Sequence, residues 1–185
     1  SIKSSTWRRS LSRKYSAIES AVREHYLTIV ELKTARFMGS CARLGAVKSG
    51  LDPGECEDLY NFGLNLGFAF QIIDDTLDVV QDSDEVGKDV GSDFKDGKIT
   101  LPFIRLIETG TSDDRSLLVD YKDNPDPDTW RAIRARLVET GAIDYSVRYA
   151  ADHIDRAREI LMRFPDSPFR TILLELSDFL LRRTN

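Results

Sequence analysis

Apolar residues recur at three- and four-residue steps along almost the whole chain, the periodicity of helices that each bury one face. From Tyr26 to about Ala46 the set Leu27, Val30, Phe37, Met38, Cys41 and Leu44 marks one such face, and the stretch from Gly45 to Gly50 ends it. Asp52-Pro53-Gly54-Glu55 reads as a fresh start, with an N-cap acid, proline at the first helical position and glutamate at the third. The helix it opens runs to about Val80. A loop rich in glycine, aspartate and lysine follows, from Gln81 to about Ile99. Thr100-Leu101-Pro102 begins a shorter helix that stops near Gly110, and Asp126-Pro127-Asp128 begins another that Gly141 ends. Ile143, Val147, Ala150, Ile154, Ala157 and Leu161 share one face of a long amphipathic helix. Pro165-Asp166-Ser167-Pro168 breaks that pattern before a last helix carrying Ile172, Leu176, Phe179 and Leu180. With no alternating strand pattern, internal repeat or low-complexity segment, the pattern predicts an all-α helical array, one domain over residues 1–185.

Composition changes this picture little. Apolar residues at 41% and charged residues at 31% describe an ordinary globular chain. A net charge of -5 argues against nucleic acid as the main partner. Lys3, Arg8, Arg9, Arg13 and Lys14 make residues 1–15 a basic arm, read as a solvated or frayed terminus before a phosphate- or membrane-binding one. Cys41 and Cys56 form no disulfide framework and have no metal-ligand spacing, so both are expected as small apolar residues on reduced, intracellular helices. His25 and His153 fall within helical patterns, far apart, and are read as ordinary helix residues before catalytic ones. No run approaches the ~20 apolar residues of a membrane span. No signal-peptide layout and no initiator methionine are present, from which a processed or truncated cytoplasmic chain is expected.

The unusual feature is FQIIDDTLDVV, residues 70–80, where three aspartates and a glutamine sit inside an apolar run. At about 100° per residue, Asp74, Asp75 and Asp78 all fall within about 60° of Gln71, so four polar side chains share a face. Ile72, Ile73, Leu77 and Val79 take the other sides. Gly63 and Gly67 continue the polar stripe with almost no side chain, which predicts room beside the helix: a cleft with carboxylates at its mouth. Three carboxylates on one face suit a divalent cation, and Mg²⁺ is commonly shared between one or two carboxylates and substrate phosphates. An exposed acidic helix end is the plain alternative, but it would normally carry a basic residue at i+4, and residues 70–80 contain none. Downstream, Gly87-Lys88-Asp89 and Asp96-Gly97-Lys98 set two lysines beside glycines, a pattern suited to phosphate. Upstream, Lys33-Thr34 offers a further lysine on a helix. Either lysine set, taken alone, reads as polar surface.

Together, Lys33-Thr34, GFAFQIIDDTLD, GKDVGSD and DGKITLP stand in the order and approximate spacing of the trans-isoprenyl diphosphate synthases, which this chain resembles. The resemblance implies an isoprenoid-synthase-type helical bundle and an enzyme that condenses an allylic prenyl diphosphate with isopentenyl diphosphate, using Mg²⁺. DDTLD is similar to the family's second aspartate-rich motif. That assigns Asp74 as a magnesium ligand, with Asp75 and Asp78 completing the motif directly or through water. Lys33, Gln71 and Lys88 would contact the allylic diphosphate, Thr34 would belong to the same pocket, and Lys98 would sit at its rim. The complete enzyme is expected to be a homodimer. The family also carries a first aspartate-rich motif upstream of the lysine-threonine pair, and this sequence holds no second DDxxD. The resemblance therefore covers about the C-terminal half or more of the family fold. A class I terpene cyclase fits less well, since the Asn/Asp, Ser/Thr, Glu triad expected downstream is missing. A non-catalytic or complementing subunit stays open beside the preferred reading, a fragment of a normal enzyme.

Overall fold

The structure, a computed structural model, describes residues 21–80, 94 and 96–183. The basic arm, Lys88 and the rest of GKDVGSD lie outside the described residues. Among the described residues there are seven helices and no strand, so the all-α expectation holds. The first, α1, is helical over residues 21–30, widens into a single π turn at Glu31–Ala35 and continues as an α-helix at Arg36–Lys48. The others are α2 (Pro53–Val80), α3 (Leu101–Thr109), α4 (Ser112–Asp123), α5 (Pro127–Glu139), α6 (Ala142–Leu161) and α7 (Pro168–Arg182).

The starts follow from local chemistry. Asp52 accepts the Gly54 and Glu55 amides, while Glu55 accepts the Asp52 amide in return, a reciprocal cap on α2. Asp126 accepts from the Asp128 and Thr129 amides at the head of α5, with Pro127 at its first position. Gly141 ends the α5 region at a φ of 68°, a left-handed conformation that glycine reaches without Cβ strain.

Helix α2 is the axis of the molecule, about 42 Å long at the usual rise per residue. It lies between α1 and α6, with α7 packed against both α6 and α2. Ile72 and Ile73 from α2, Val30 from α1, Ile154 and Ala157 from α6 and Leu180 from α7 meet in the main core. A second core joins Val79 at the end of α2 to Phe94, Phe103, Leu106, Tyr121, Trp130 and Ile133, closing α3, α4 and α5 over it. Arg136 ties α5 to α4 with a hydrogen bond of 2.6 Å to Asp114, a buried carboxylate that also completes the Thr111 cap of α4.

Three expectations are corrected here. The room predicted beside Gly63 and Gly67 is filled by α1: a Cβ at Gly63 would lie 2.6 Å from the Met38 carbonyl oxygen, and one at Gly67 would lie 2.6 Å from Ala35 Cα. The glycines allow two backbones to touch. Second, residues 112–123 form a helix the apolar periodicity had not marked. Third, the apolar sets assigned to the first and last helices are partly outward: Phe37, Cys41 and Leu44 on α1 and Ile172, Leu176 and Phe179 on α7 are exposed, while Val30 and Leu180 are buried as expected. Cys56 is buried, Cys41 is not.

Candidate functional site

A cavity of about 640 Å³ opens between the first half of α1, the charged half of α2 and the turn that leads into α3. Lys33, Gln71, Asp75 and Lys98, four residues singled out from three separate stretches of sequence, line it together with Tyr26 and His25. The π turn of α1 carries both Lys33 and Thr34. One extra residue in that turn locally changes the angular register, a distortion found mostly at functional sites.

Behind the lysines runs a chain of short hydrogen bonds. The Thr34 hydroxyl donates to Gln71 Oε1 at 2.7 Å, Gln71 Nε2 donates to Asp75 Oδ1 at 2.8 Å, and the Tyr26 hydroxyl donates to Asp75 Oδ2 at 2.7 Å. An ionised carboxylate only accepts, so Asp75 dictates that the Gln71 NH2 faces it and the Gln71 oxygen faces Thr34. Burial first, and then the adjacent Asp75 carboxylate, push the Tyr26 phenol well above its ordinary pKa, so it remains a donor. Gln71 and Asp75 are both buried. Both Asp75 oxygens are engaged by protein donors, which makes this carboxylate the anchor of the α1–α2 contact.

The three aspartates therefore do not share one environment. Asp74 is 52% exposed, with Arg183 from the end of α7 at 3.7 Å, and Asp78 is half-buried one turn farther along α2. Among the described residues no three His, Cys, Asp or Glu side chains are grouped closely enough to enclose a metal ion. Asp74 and Asp78, two oxygen donors at i and i+4, fit instead a hard divalent cation that keeps several waters and takes further oxygens from a phosphate ligand.

His25 is exposed on the cavity rim, whereas His153 is a core residue. Its ring stacks on Phe68 at 4.8 Å, its Nδ1 lies 2.8 Å from Asn65 Oδ1, and burial lowers its pKa to about 4. Sequence reasoning missed Tyr26 and Arg183. Tyr26 falls on the apolar stripe of α1, and only the fold brings its hydroxyl to Asp75; Arg183 had no signal beyond its charge.

The family model for polyprenyl synthetase matches residues 11–136. This chain belongs to that family. It is 34% identical over 160 residues to a short chain isoprenyl diphosphate synthase from Methanothermobacter thermautotrophicus, covering 86% of this chain and 49% of the relative. With an octaprenyl diphosphate synthase from Escherichia coli it shares 30% over 161 residues, covering 86% and 50%. Among solved structures, a polyprenyl synthase from Caulobacter crescentus in complex with calcium and isoprenyl diphosphate superposes with a TM-score of 0.77 at 30% identity, covering 93% of this chain and 56% of that one. A decaprenyl diphosphate synthase from Rhodobacter capsulatus gives 0.79 at 25% identity, covering 95% and 58%. This polyprenyl synthetase-family chain thus spans about half the length of the relatives it matches.

Proposed function

We propose that this chain holds the allylic-diphosphate part of a trans-prenyl diphosphate synthase, which joins an allylic prenyl diphosphate to isopentenyl diphosphate. The observation that carries the reading is the convergence of Lys33, Gln71, Asp75 and Lys98 on one cavity. The relatives named above are prenyl diphosphate synthases, and the Caulobacter neighbour binds a divalent cation and an isoprenyl diphosphate, which supports the same ligand pair here.

In this reading Lys33 and Lys98 lay positive charge against the diphosphate oxygens, and Lys88 joins them. Gln71, fixed by Asp75 and Thr34, orients the lysine-bearing turn of α1 and the diphosphate beside it. Asp74 and Asp78 would hold Mg²⁺, which when bound would offset the charge of the departing diphosphate. The carbon–oxygen bond of the allylic substrate breaks, and the double bond of isopentenyl diphosphate attacks the allylic carbon. A proton then passes to the released diphosphate and a new double bond forms. No protein nucleophile is needed. Val22, Ile29 and Val30 wall the cavity and exclude water from the allylic cation. In this reading the complete enzyme is a dimer, supported by the apolar residues exposed along α1. No described helix is long and apolar enough to cross a membrane. A second reading, a subunit that complements another chain, keeps the same site.

The test is transfer of labelled isopentenyl diphosphate to an allylic diphosphate in the presence of Mg²⁺. Apolar-extractable product that disappears in Asp74→Ala and Lys33→Ala supports the first reading. Diphosphate binding without transfer, lost in both variants, supports the site in either reading. Transfer indifferent to both substitutions overturns the site.

A further inference from the structure

The stretch from Phe70 to Val80 contains no basic residue, yet Asp74 is not without a cation. The structure supplies one from the far end of the chain. Arg183 caps the C-terminus of α7, and its Nη2 lies 3.7 Å from Asp74 Oδ1. Its guanidinium carbon is 5.9 Å from the centre of the Phe70 ring. Phe70 and Asp74 are one turn apart on α2, so a ring face and a carboxylate receive the same guanidinium, a placement that orients the planar group without locking it. The contrast with Arg136 is instructive: that guanidinium meets the buried Asp114 at 2.6 Å and 3.2 Å, whereas Arg183 stands beyond hydrogen-bond distance of a half-exposed partner.

We propose that Arg183 is a positioning residue that makes divalent-cation binding at Asp74 conditional on an anionic ligand. The inference rests on the reading of Asp74 as a cation ligand. Without diphosphate, the guanidinium already offsets part of the carboxylate's charge, and an arriving divalent cation meets a like charge a few ångströms away. With diphosphate bound, its negative charge accommodates both cations, and Arg183 is free to turn from Asp74 to a phosphate oxygen while its stem stays against Phe70. The arginine thus disfavours an ion without substrate and favours the two together, which is positive coupling between two ligands through one side chain.

The experiment is titration of Mn²⁺ alone into the full chain, followed by the paramagnetic signal of free Mn²⁺, then repeated with inorganic diphosphate present. Arg183→Gln is expected to bind Mn²⁺ alone about 1.5-fold to fivefold more tightly, the range for loss of a half-exposed charge pair. The advantage should vanish or reverse with diphosphate, and Arg183→Lys, which keeps the charge, should behave as the wild type. Equal or weaker Mn²⁺ binding by Arg183→Gln, alongside a clear loss in Asp74→Asn, overturns this inference and leaves the cation-ligand reading standing. Binding that Asp74→Asn leaves unchanged, or no binding by any of the proteins, overturns the reading itself. Far-ultraviolet circular dichroism confirms that each variant keeps the wild-type helix content.

Discussion

At the scale of single residues, Asp75 carries more than its motif implies. The DDxxD pattern groups it with Asp74 and Asp78, yet its two oxygens accept from Gln71 and Tyr26, while Asp74 faces solvent and Arg183. Removing the phenol hydroxyl with Tyr26→Phe takes one short hydrogen bond away from a buried carboxylate. The expected cost is about 2 kcal/mol, read from urea denaturation. His153 gives a second residue-scale expectation. Its folded pKa of about 4 lies below its ordinary 6.5, so across that interval the unfolded chain binds a proton that the folded chain refuses. Stability therefore falls as pH drops from about 6.5 towards about 4, and His153→Gln should flatten urea midpoints over that window. Asp114 acts lower. Arg136 and the Thr111 cap hold its carboxyl well below the usual carboxylate range, so its contribution is complete above that range and is lost progressively as pH falls from it towards the lower folded value.

At the scale of elements, the contact between α1 and α2 decides the site. Gly67 lets Ala35, the last residue of the π turn, pack backbone to backbone, with Lys33 and Thr34 directly before it. Gly67→Ala sets a methyl 2.6 Å from Ala35 Cα, where no flexible side chain can give way. Overpacking of this kind costs about 1–3 kcal/mol. The same change should lengthen the Thr34–Gln71 contact, so the melting temperature and the affinity for an allylic diphosphate are expected to fall together. Much at this scale was legible beforehand. The Asp-Pro starts of α2 and α5, the proline before α7 and the long faces of α2 and α6 follow from capping chemistry and period. Helix α4 was not, because Leu117, Leu118 and Tyr121 give it only a thin apolar stripe; its one signal was Thr111 followed three residues later by Asp114, the capping box now seen. The π turn was also illegible, since no local preference of ELKTA marks it. Nor could period choose which part of the broad apolar side of α7 is buried: Leu173, Leu174, Leu180 and Leu181 pack on the core, while Ile172, Leu176 and Phe179 do not.

At the scale of the whole molecule, two apolar stripes stand in solvent. Leu32, Phe37, Leu44 and Val47 expose 58–70% of their surface along α1, and Phe169, Ile172, Leu176 and Phe179 expose 44–78% along α7. Helices apolar on both sides pack against something. Sedimentation of this chain is expected to show association that rises with concentration and is insensitive to salt, and Phe37→Gln with Leu44→Gln should weaken it. A monomer across the whole concentration range would contradict this. The candidate-site residues were legible only from the motifs taken together and in order, since either lysine set alone reads as polar surface. Which of them faces the cavity and which braces it was not, because that depends on Tyr26 and Arg183, set 49 residues before Asp75 and 109 after Asp74.

The central claim is that Lys33, Gln71 and Lys98 form one diphosphate cradle. The direct measurement is calorimetric titration of a non-ionisable allylic thiodiphosphate with Mg²⁺ into the wild type, Lys33→Ala and Gln71→Ala. The account predicts Mg²⁺-dependent binding by the wild type, weakened about tenfold or more in each variant, the loss typical of a charged or buried hydrogen-bonding group. Binding of equal strength in all three proteins, or none by the wild type, would contradict it.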